Sequence, residues 1–325
     1  MDRRRFIKNA ALASVVVAGG AKLNGCMPKI KPAAANIRWS MGWILWRDFK
    51  DADIPLAEAI QNMSDLGLDG VEYTPRKDEL AKFGFTRESF RDLLIEKKLS
   101  VAGNYFGGDF HIPEKHEDLL SAFRNTLENL QFYGAKNVII GPPGRPLGNV
   151  NWADYHHTTS GGSEEDIPER IKITAPFLNE LGRIAKEAGI EIGLHPHLNT
   201  IVEKPAEIDM IMELTDPNYV GMAPDTGHIQ LGGGNPAEII RKYSNRICYF
   251  HLKDVAGVFE RPSFAPNIRE LGNGEIDFPA VMNVLKEIGY TGWINVEQDF
   301  TLITPSESAT ESMTYINKTL KPIYT

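Results

Sequence analysis

From Ile37 onward the chain alternates short β-like runs with amphipathic helical runs, and this alternation limits its possible folds more than any other feature. The runs IRWSMGW (37–43), GVEYT (70–74), SVAGNYF (100–106), KNVIIG (136–141), IEIGLHPH (190–197), YVGMAPD (219–225), RICYFHLKD (246–254) and GWINVEQD (292–299) read as strands. Helical patterns follow them around 53–66, 86–97, 115–133, 166–188, 205–214, 236–243, 278–288 and 307–320. Strands joined through helices pair in parallel, because a long crossover is needed to return the chain to the same end of the sheet. Eight such βα units predict an α/β fold closed into a (β/α)8 TIM barrel. No Gly-rich dinucleotide fingerprint follows the first strand, which counts against an open doubly wound sheet. The long connections after strands 4 and 7, at 142–165 and 255–277, are candidate lids.

The first 36 residues stand apart from this pattern. DRRRFIK (2–8) precedes a mild apolar run that ends in LNGC at Cys26, which reads as a twin-arginine-like export signal with a lipobox over residues 1–26. The run is too short to span a bilayer as a helix. MPKIKPAAAN (27–36) then reads as a Pro/Ala-rich tether and 37–325 as a single catalytic domain. On this reading the protein is exported and is a periplasmic or outer-membrane-associated lipoprotein, held to the membrane by acyl chains on Cys26 alone. Loss of residues 1–25 removes five of 35 basic and one of 43 acidic residues, so 30 face 42 and the net charge is −12. An acidic surface argues against nucleic acid as a partner. Cys248 is then the one cysteine besides Cys26, so the mature chain holds no internal disulfide and relies on its core.

In a TIM barrel the chemistry lies at the C-terminal ends of the strands. Those ends carry Glu72 on strand 2, His195 and His197 on strand 5, Asp225 and His228 on strand 6, His251, Lys253 and Asp254 on strand 7, and Glu297 on strand 8. Residues two apart on a strand share a face, so His195 and His197 point the same way. Each residue alone has an ordinary explanation; a buried Asp after a strand, such as Asp225, commonly caps the next helix. Four successive strands that deliver His, Asp, His and Glu to one face predict a divalent-cation site, suited to Mn, Co, Zn, Fe or Ni more than to Mg or Ca.

GLHPHLNTIVEKPAEIDMIM, DTGHIQLGGGNPAEIIRKYSNRICYFHLKD, LGNGEIDF and GWINVEQD resemble the xylose isomerase-like superfamily of sugar phosphate isomerases and epimerases, and within it the inosose dehydratase branch. The resemblance covers residues 37–320 and is specific in the last four strands, while the first four match in pattern only. It implies metal ligation by His195, Asp225, His251 and Glu297, with His228 and Lys253 facing substrate. Ketose 3-epimerases of the superfamily carry glutamate at the position of His195, which places carboxylates on both faces of the substrate. Epimerisation needs a proton removed on one face and returned on the other, and here only Glu297 of that pair is present. A single base beside a metal suits β-elimination, so the resemblance implies a lyase acting on a keto-cyclitol, a 3-keto sugar or a 3-keto-glycoside, with acid and base duty shared among Glu297, Lys253 and His228. A sugar isomerase or epimerase and a non-catalytic sugar-binding lipoprotein are the alternatives.

The loops after strands 7 and 8 hold no phosphate cradle beyond Arg261 and Arg269, which points to a neutral small-molecule substrate whose ketone an oxidoreductase would supply. Trp43, Trp46, Tyr73, Tyr105, Phe106, Trp152 and Tyr155 are candidate sugar-stacking rings near the mouth. His197, Glu72, Trp43, Trp46, Tyr105 and Arg261 are thus expected to bind substrate. His111, His116, His156 and His157 have no evident role, and the sequence does not specify an oligomeric state.

Overall fold

The computed structural model describes residues 37–47, 54–73, 77–146, 162–261 and 263–324. The expected export signal, Cys26 and tether lie outside the described residues, as do Trp152, Tyr155, His156 and His157 of the first candidate lid. The strands are β1 (Ile37–Gly42), β2 (Gly70–Glu72), β3 (Ser100–Gly107), β4 (Asn137–Gly141), β5 (Glu191–Leu194), β6 (Val220–Met222), β7 (Phe250–Leu252), β8 (Asp254–Val255), β9 (Ile268–Arg269) and β10 (Gly292–Val296). Eight of them form a parallel sheet in the order β6-β5-β4-β3-β2-β1-β10-β7, and β8 and β9 form a separate antiparallel ribbon. The two ends of the sheet meet, because parallel bridges join Met222 to Ile247 and Asp225 to His251. There Cys248 N donates to Met222 O at 3.0 Å and His251 N to Pro224 O at 2.9 Å. The predicted TIM barrel is the fold observed.

The expected helices form as α1 (Leu56–Asp65), α3 (Arg87–Glu96), α4 (His116–Tyr133), α5 (Ile167–Glu187), α6 (Pro205–Leu214), α8 (Pro236–Lys242), α9 (Phe278–Glu287) and α10 (Pro305–Tyr315). Two more, α2 (Lys77–Lys82) and α7 (Thr226–Leu231), are six residues each and too short to show a period in the sequence. Several strands are shorter than their apolar runs suggest. Pro196 and Pro224 have no N–H to give to a ladder, so β5 and β6 stop at Leu194 and Met222, and the polar residues that follow are freed for chemistry.

Inside the barrel the strand alternation separates floor from mouth. Ala102, Ile139, Ala223, Tyr249 and Trp293 make a small apolar cluster of their own, apart from the main core between strands and helices. Trp293 is buried, and the Arg38 guanidinium lies over its ring at 4.0 Å. Two and four residues along from Trp293 come Asn295 and Glu297, and likewise Tyr249 is followed by His251 and Lys253, so each strand passes from apolar to ionisable toward the mouth.

Gly70 makes this floor possible, since a Cβ there would stand 2.5 Å from Ser100 O and 2.7 Å from the Trp293 ring. Gly70→Ala is therefore expected to destabilise the protein by about 1–3 kcal/mol through overpacking against a rigid carbonyl. Equilibrium denaturation would show this as a lower midpoint with unchanged slope; an unaltered midpoint would refute it.

Candidate metal centre and active site

His195 follows β5 directly, and its backbone N donates to Ile140 O at 2.9 Å, so strand pairing fixes its position although the strand has ended. Asp225 divides its carboxylate between two tasks. Oδ1 accepts from His228 N at 2.9 Å and caps α7, while Oδ2 points into the barrel 3.3 Å from Lys253 Nζ. Both the capping and the ligand expectation thus apply to this residue. His251 has Nδ1 3.1 Å from His195 Nδ1 and 2.5 Å from Glu297 Oε2. Its other nitrogen, Nε2, lies 2.6 Å from Glu72 Oε2. Glu297 is held by its backbone N, which donates to Leu252 O at 2.9 Å.

One donor atom from each of His195, Asp225, His251 and Glu297 lies within 4.8 Å of the others, and three of the four residues are fully buried. His195 Nε2 is buried and makes no hydrogen bond, and Asp225 Oδ2 and Glu297 Oε2 are buried with only the Lys253 and His251 contacts given above. Leaving such atoms without hydrogen bonds is costly, and convergence of two imidazoles and two carboxylates on one point is the arrangement a divalent cation satisfies. The four residues fit the expected ion. Burial opposes a charge on His251, but the Glu297 and Glu72 carboxylates on its two nitrogens hold it well above the usual histidine range. Burial and then the His251 charge push His195 well below that range, so it stays neutral, the form that ligates metal.

Lys253 and His228 lie against this cluster. The Lys253 ammonium is fully buried, 3.3 Å from Asp225 Oδ2, 3.2 Å from Glu297 Oε1 and 2.7 Å from Asp299 Oδ2. Burial would lower its pKa, but the carboxylates of Asp225, Asp299 and Glu297 prevail and hold it well above the usual lysine range. Three carboxylates around its ammonium favour the charged form, which suits Lys253 to the acid side of the acid and base duty expected of it. Its Nζ donates to His228 Nε2 at 2.8 Å. Burial, then His197 and Lys253, push His228 well below the normal range, so this ring is neutral with its proton on Nδ1. His197 is buried with Nδ1 2.7 Å from Leu198 O, and its ring centroid is 3.7 Å from that of His228.

Asp299 was missed in the sequence although the signal was there: in VEQD it is two residues beyond Glu297 and shares its face, by the rule that pairs His195 with His197. Phe264 was missed too. It comes from the connection after β7, is buried, and meets the rings of His228 at 5.0 Å and His197 at 5.6 Å edge-on.

The expected substrate binders divide. Tyr105 is 37 % exposed at the mouth, edge-on to His195 at 5.9 Å. Its hydroxyl crosses Gly141, where a Cβ would come within 1.7 Å of it. Trp43 is buried against Tyr73 and Phe83, and Trp46, only 1 % exposed, belongs to the main core; their rings are committed to packing. Phe106 is likewise buried, stacked on Phe110. Glu72 is engaged by His251. Arg261 donates to Asn199 Oδ1 at 2.8 Å and to both oxygens of Glu203, so it ties the connection after β7 to the one after β5. Arg145, fully buried, joins the same frame: it pairs with both Glu207 oxygens at 2.6 and 2.5 Å and lies 3.2 Å from Glu164. Arg269 is spent on the carbonyls of Pro266 and Ile268. His116 stacks on Phe177 at 3.8 Å, and His111 lies 3.4 Å from Arg170, away from the cluster described above.

Residues 60–319 match the family model described as Xylose isomerase-like TIM barrel. An inosose dehydratase of Clostridium beijerinckii is 32% identical over 288 residues, covering 81% of this chain and 95% of that protein. Among solved structures, the probable 3-DHS dehydratase AsbF of Bacillus anthracis superposes with a TM-score of 0.69 at 14% identity, covering 87% of this chain and 99% of the other. The IOLI protein with a binding zinc atom gives 0.67 at 18% identity, covering 86% and 96%.

The two tasks of Asp225 can be separated. Asp225→Asn keeps an oxygen for His228 N but loses the charge, so metal affinity is expected to fall at least tenfold, and the metal-free protein loses one of the three carboxylates around Lys253 but keeps the cap. Asp225→Ala should lose metal and be about 1 kcal/mol less stable than the Asn variant without metal, because it also loses the cap. Metal content after dialysis, with denaturation of the metal-free proteins, checks both; an Asn variant that retains full metal would refute the ligand assignment.

Proposed function

We propose, for a chain that belongs to the xylose isomerase-like TIM barrel family, that it is a metal-dependent dehydratase removing water from a neutral keto-cyclitol or 3-keto sugar by β-elimination. The observation that carries this reading is the Lys253–His228 contact at 2.8 Å beside the four-residue cluster, a charged proton donor touching a neutral acceptor. The inosose dehydratase relatives support it independently.

His195, Asp225, His251 and Glu297 would hold the ion. When bound, it supplies a Lewis acid that polarises the substrate ketone and acidifies the adjacent C–H. Burial alone would raise Glu297, but His251 and Lys253 stabilise its charge and hold it well below the usual carboxylate range, in keeping with a role as ligand. As the Lys253 ammonium turns from His228 Nε2 to the departing oxygen, the Nε2 lone pair of the neutral ring is freed and takes the α-proton. The electron pair left behind forms the double bond, the β C–O bond breaks, and the oxygen departs as water with a proton from Lys253. The proton on His228 Nε2 then returns to Lys253, which restores both groups and leaves loss of one water as the net change. Tyr105 and His197 contact the substrate at the mouth, and Phe264 excludes bulk water from the pair.

A neutral substrate is supported by charge pairing around the mouth. Arg145, Lys253 and Arg261 are each paired with carboxylates that are themselves largely buried, which leaves none of these three for a phosphate. The ketone that elimination requires would come from an alcohol oxidised by a separate oxidoreductase. Epimerisation is the second reading; Asp299 adds a carboxylate to the site, but on the side of Glu297, so the returning proton would have to come from another group. Proton NMR of inososes and 3-keto-glycosides with the enzyme in deuterated water is expected to show an olefinic or enolic product. Deuterated stereoisomers would instead establish epimerisation, and binding without turnover would overturn both readings.

The arginines of DRRRFIK and the LNGC sequence support an exported lipoprotein, and among the described residues no helix is long and apolar enough to cross a membrane. Cys26→Ser is expected to move the protein from the membrane fraction to the soluble fraction with its fold unchanged. A wild-type protein that fractionates as soluble with residues 1–25 intact would refute this.

A further inference from the structure

We infer that Glu72 is a positioning residue that fixes the tautomer and ring orientation of His251 as a metal ligand, rather than a group that contacts substrate. The inference rests on the metal reading above. Glu72 ends β2, which is separated in the sheet from β7 by β1 and β10. Its carboxylate therefore reaches across the barrel interior, and not along the wall, to meet His251 Nε2 at 2.6 Å. The Glu72 side chain is 11% exposed and that of His251 1%.

An imidazole has two nitrogens and, when neutral, one proton. The Nδ1 edge of His251 faces His195 and Glu297, the other donors of the cluster. A carboxylate accepts only, so Glu72 would keep the proton on Nε2 when the ring gives up its Nδ1 proton to ligate, leaving the Nδ1 lone pair directed at the ion. Its negative charge also raises the basicity of the ring, which strengthens a bond to a cation. The Tyr249 ring meets His251 edge-on at 5.4 Å, two residues earlier on the same face, and blocks the imidazole from tilting toward the floor. Below it, Ser40 donates to Asn295 Oδ1 at 2.9 Å, so the layer beneath the histidine is itself fixed.

The test uses Co(II) alone as probe with the full chain. Affinity is read by competition with a chelating dye, and ligand geometry by the visible d–d absorption. Glu72→Gln is isosteric and keeps an acceptor but no charge; Glu72→Asp keeps the charge but is one methylene short. With native near-ultraviolet circular dichroism as the check of folding, both are expected to bind Co(II) about 10–100-fold more weakly with altered d–d bands. The Asp variant decides if the Gln variant fails to fold. Folded variants that bind Co(II) within twofold of wild type and share its spectrum would overturn the role of Glu72 while leaving the metal site intact. A wild-type protein that takes up no Co(II) would overturn the metal reading itself, and this inference with it.

Discussion

A closed barrel turns every second residue of each strand inward, and the site depends on that constraint more than on any single bond. On β10 and its extension the inward column runs Trp293, Asn295, Glu297, Asp299; on β7 it runs Tyr249, His251, Lys253. Large apolar side chains fill the floor, where water could not reach a charge, and ionisable groups crowd the mouth, where neighbours of opposite sign make their burial tolerable. His251 between two carboxylates and Lys253 among three are products of this geometry. Neither charge would survive alone at that depth.

Around the mouth a second set of buried charges serves the framework. Arg145, Glu203, Glu207 and Arg261 join the connections that follow β4, β5 and β7. Glu203 also accepts from the backbone N of Asn199 at 2.7 Å, which helps to hold Asn199 in a left-handed conformation with φ of 61°. Asn199 is two residues past His197, so the arginine frame determines how the histidine pair enters the barrel. Residues that resemble an anion cradle in sequence are consumed in holding loops together.

Much of this was legible in the sequence because it follows period two. Alternation of strands and helices gave the barrel, and the residue types at the strand ends gave His195, Asp225, His251 and Glu297 as a group. The same rule would have found Asp299. What the sequence did not reveal depends on distances between residues far apart in the chain. Nothing local says that Glu72 meets His251, 179 residues away, or that Arg261 is bound by Glu203, 58 residues away. The setting of Lys253 is of the same kind, since lysine between three carboxylates and lysine in an apolar pocket are identical on paper. The tryptophans misled for another reason: Trp43 and Trp46 lie close to the mouth in sequence, but packing, which a large apolar ring favours wherever the core is in reach, claimed both.

The pairing that closes the barrel has a mechanical side. The join between β6 and β7 consists of two isolated bridges, and the residues of one of them are Asp225 and His251. An ion held by these two side chains would act as a rivet in the thinnest seam of the cylinder. Its binding energy would then add to closure of the whole wall, and the stability of the fold would rise with occupancy. The same coupling runs backward: a looser seam would spread the ligands and lower affinity, so changes in the helices that flank β6 and β7 would be felt at the metal without touching it.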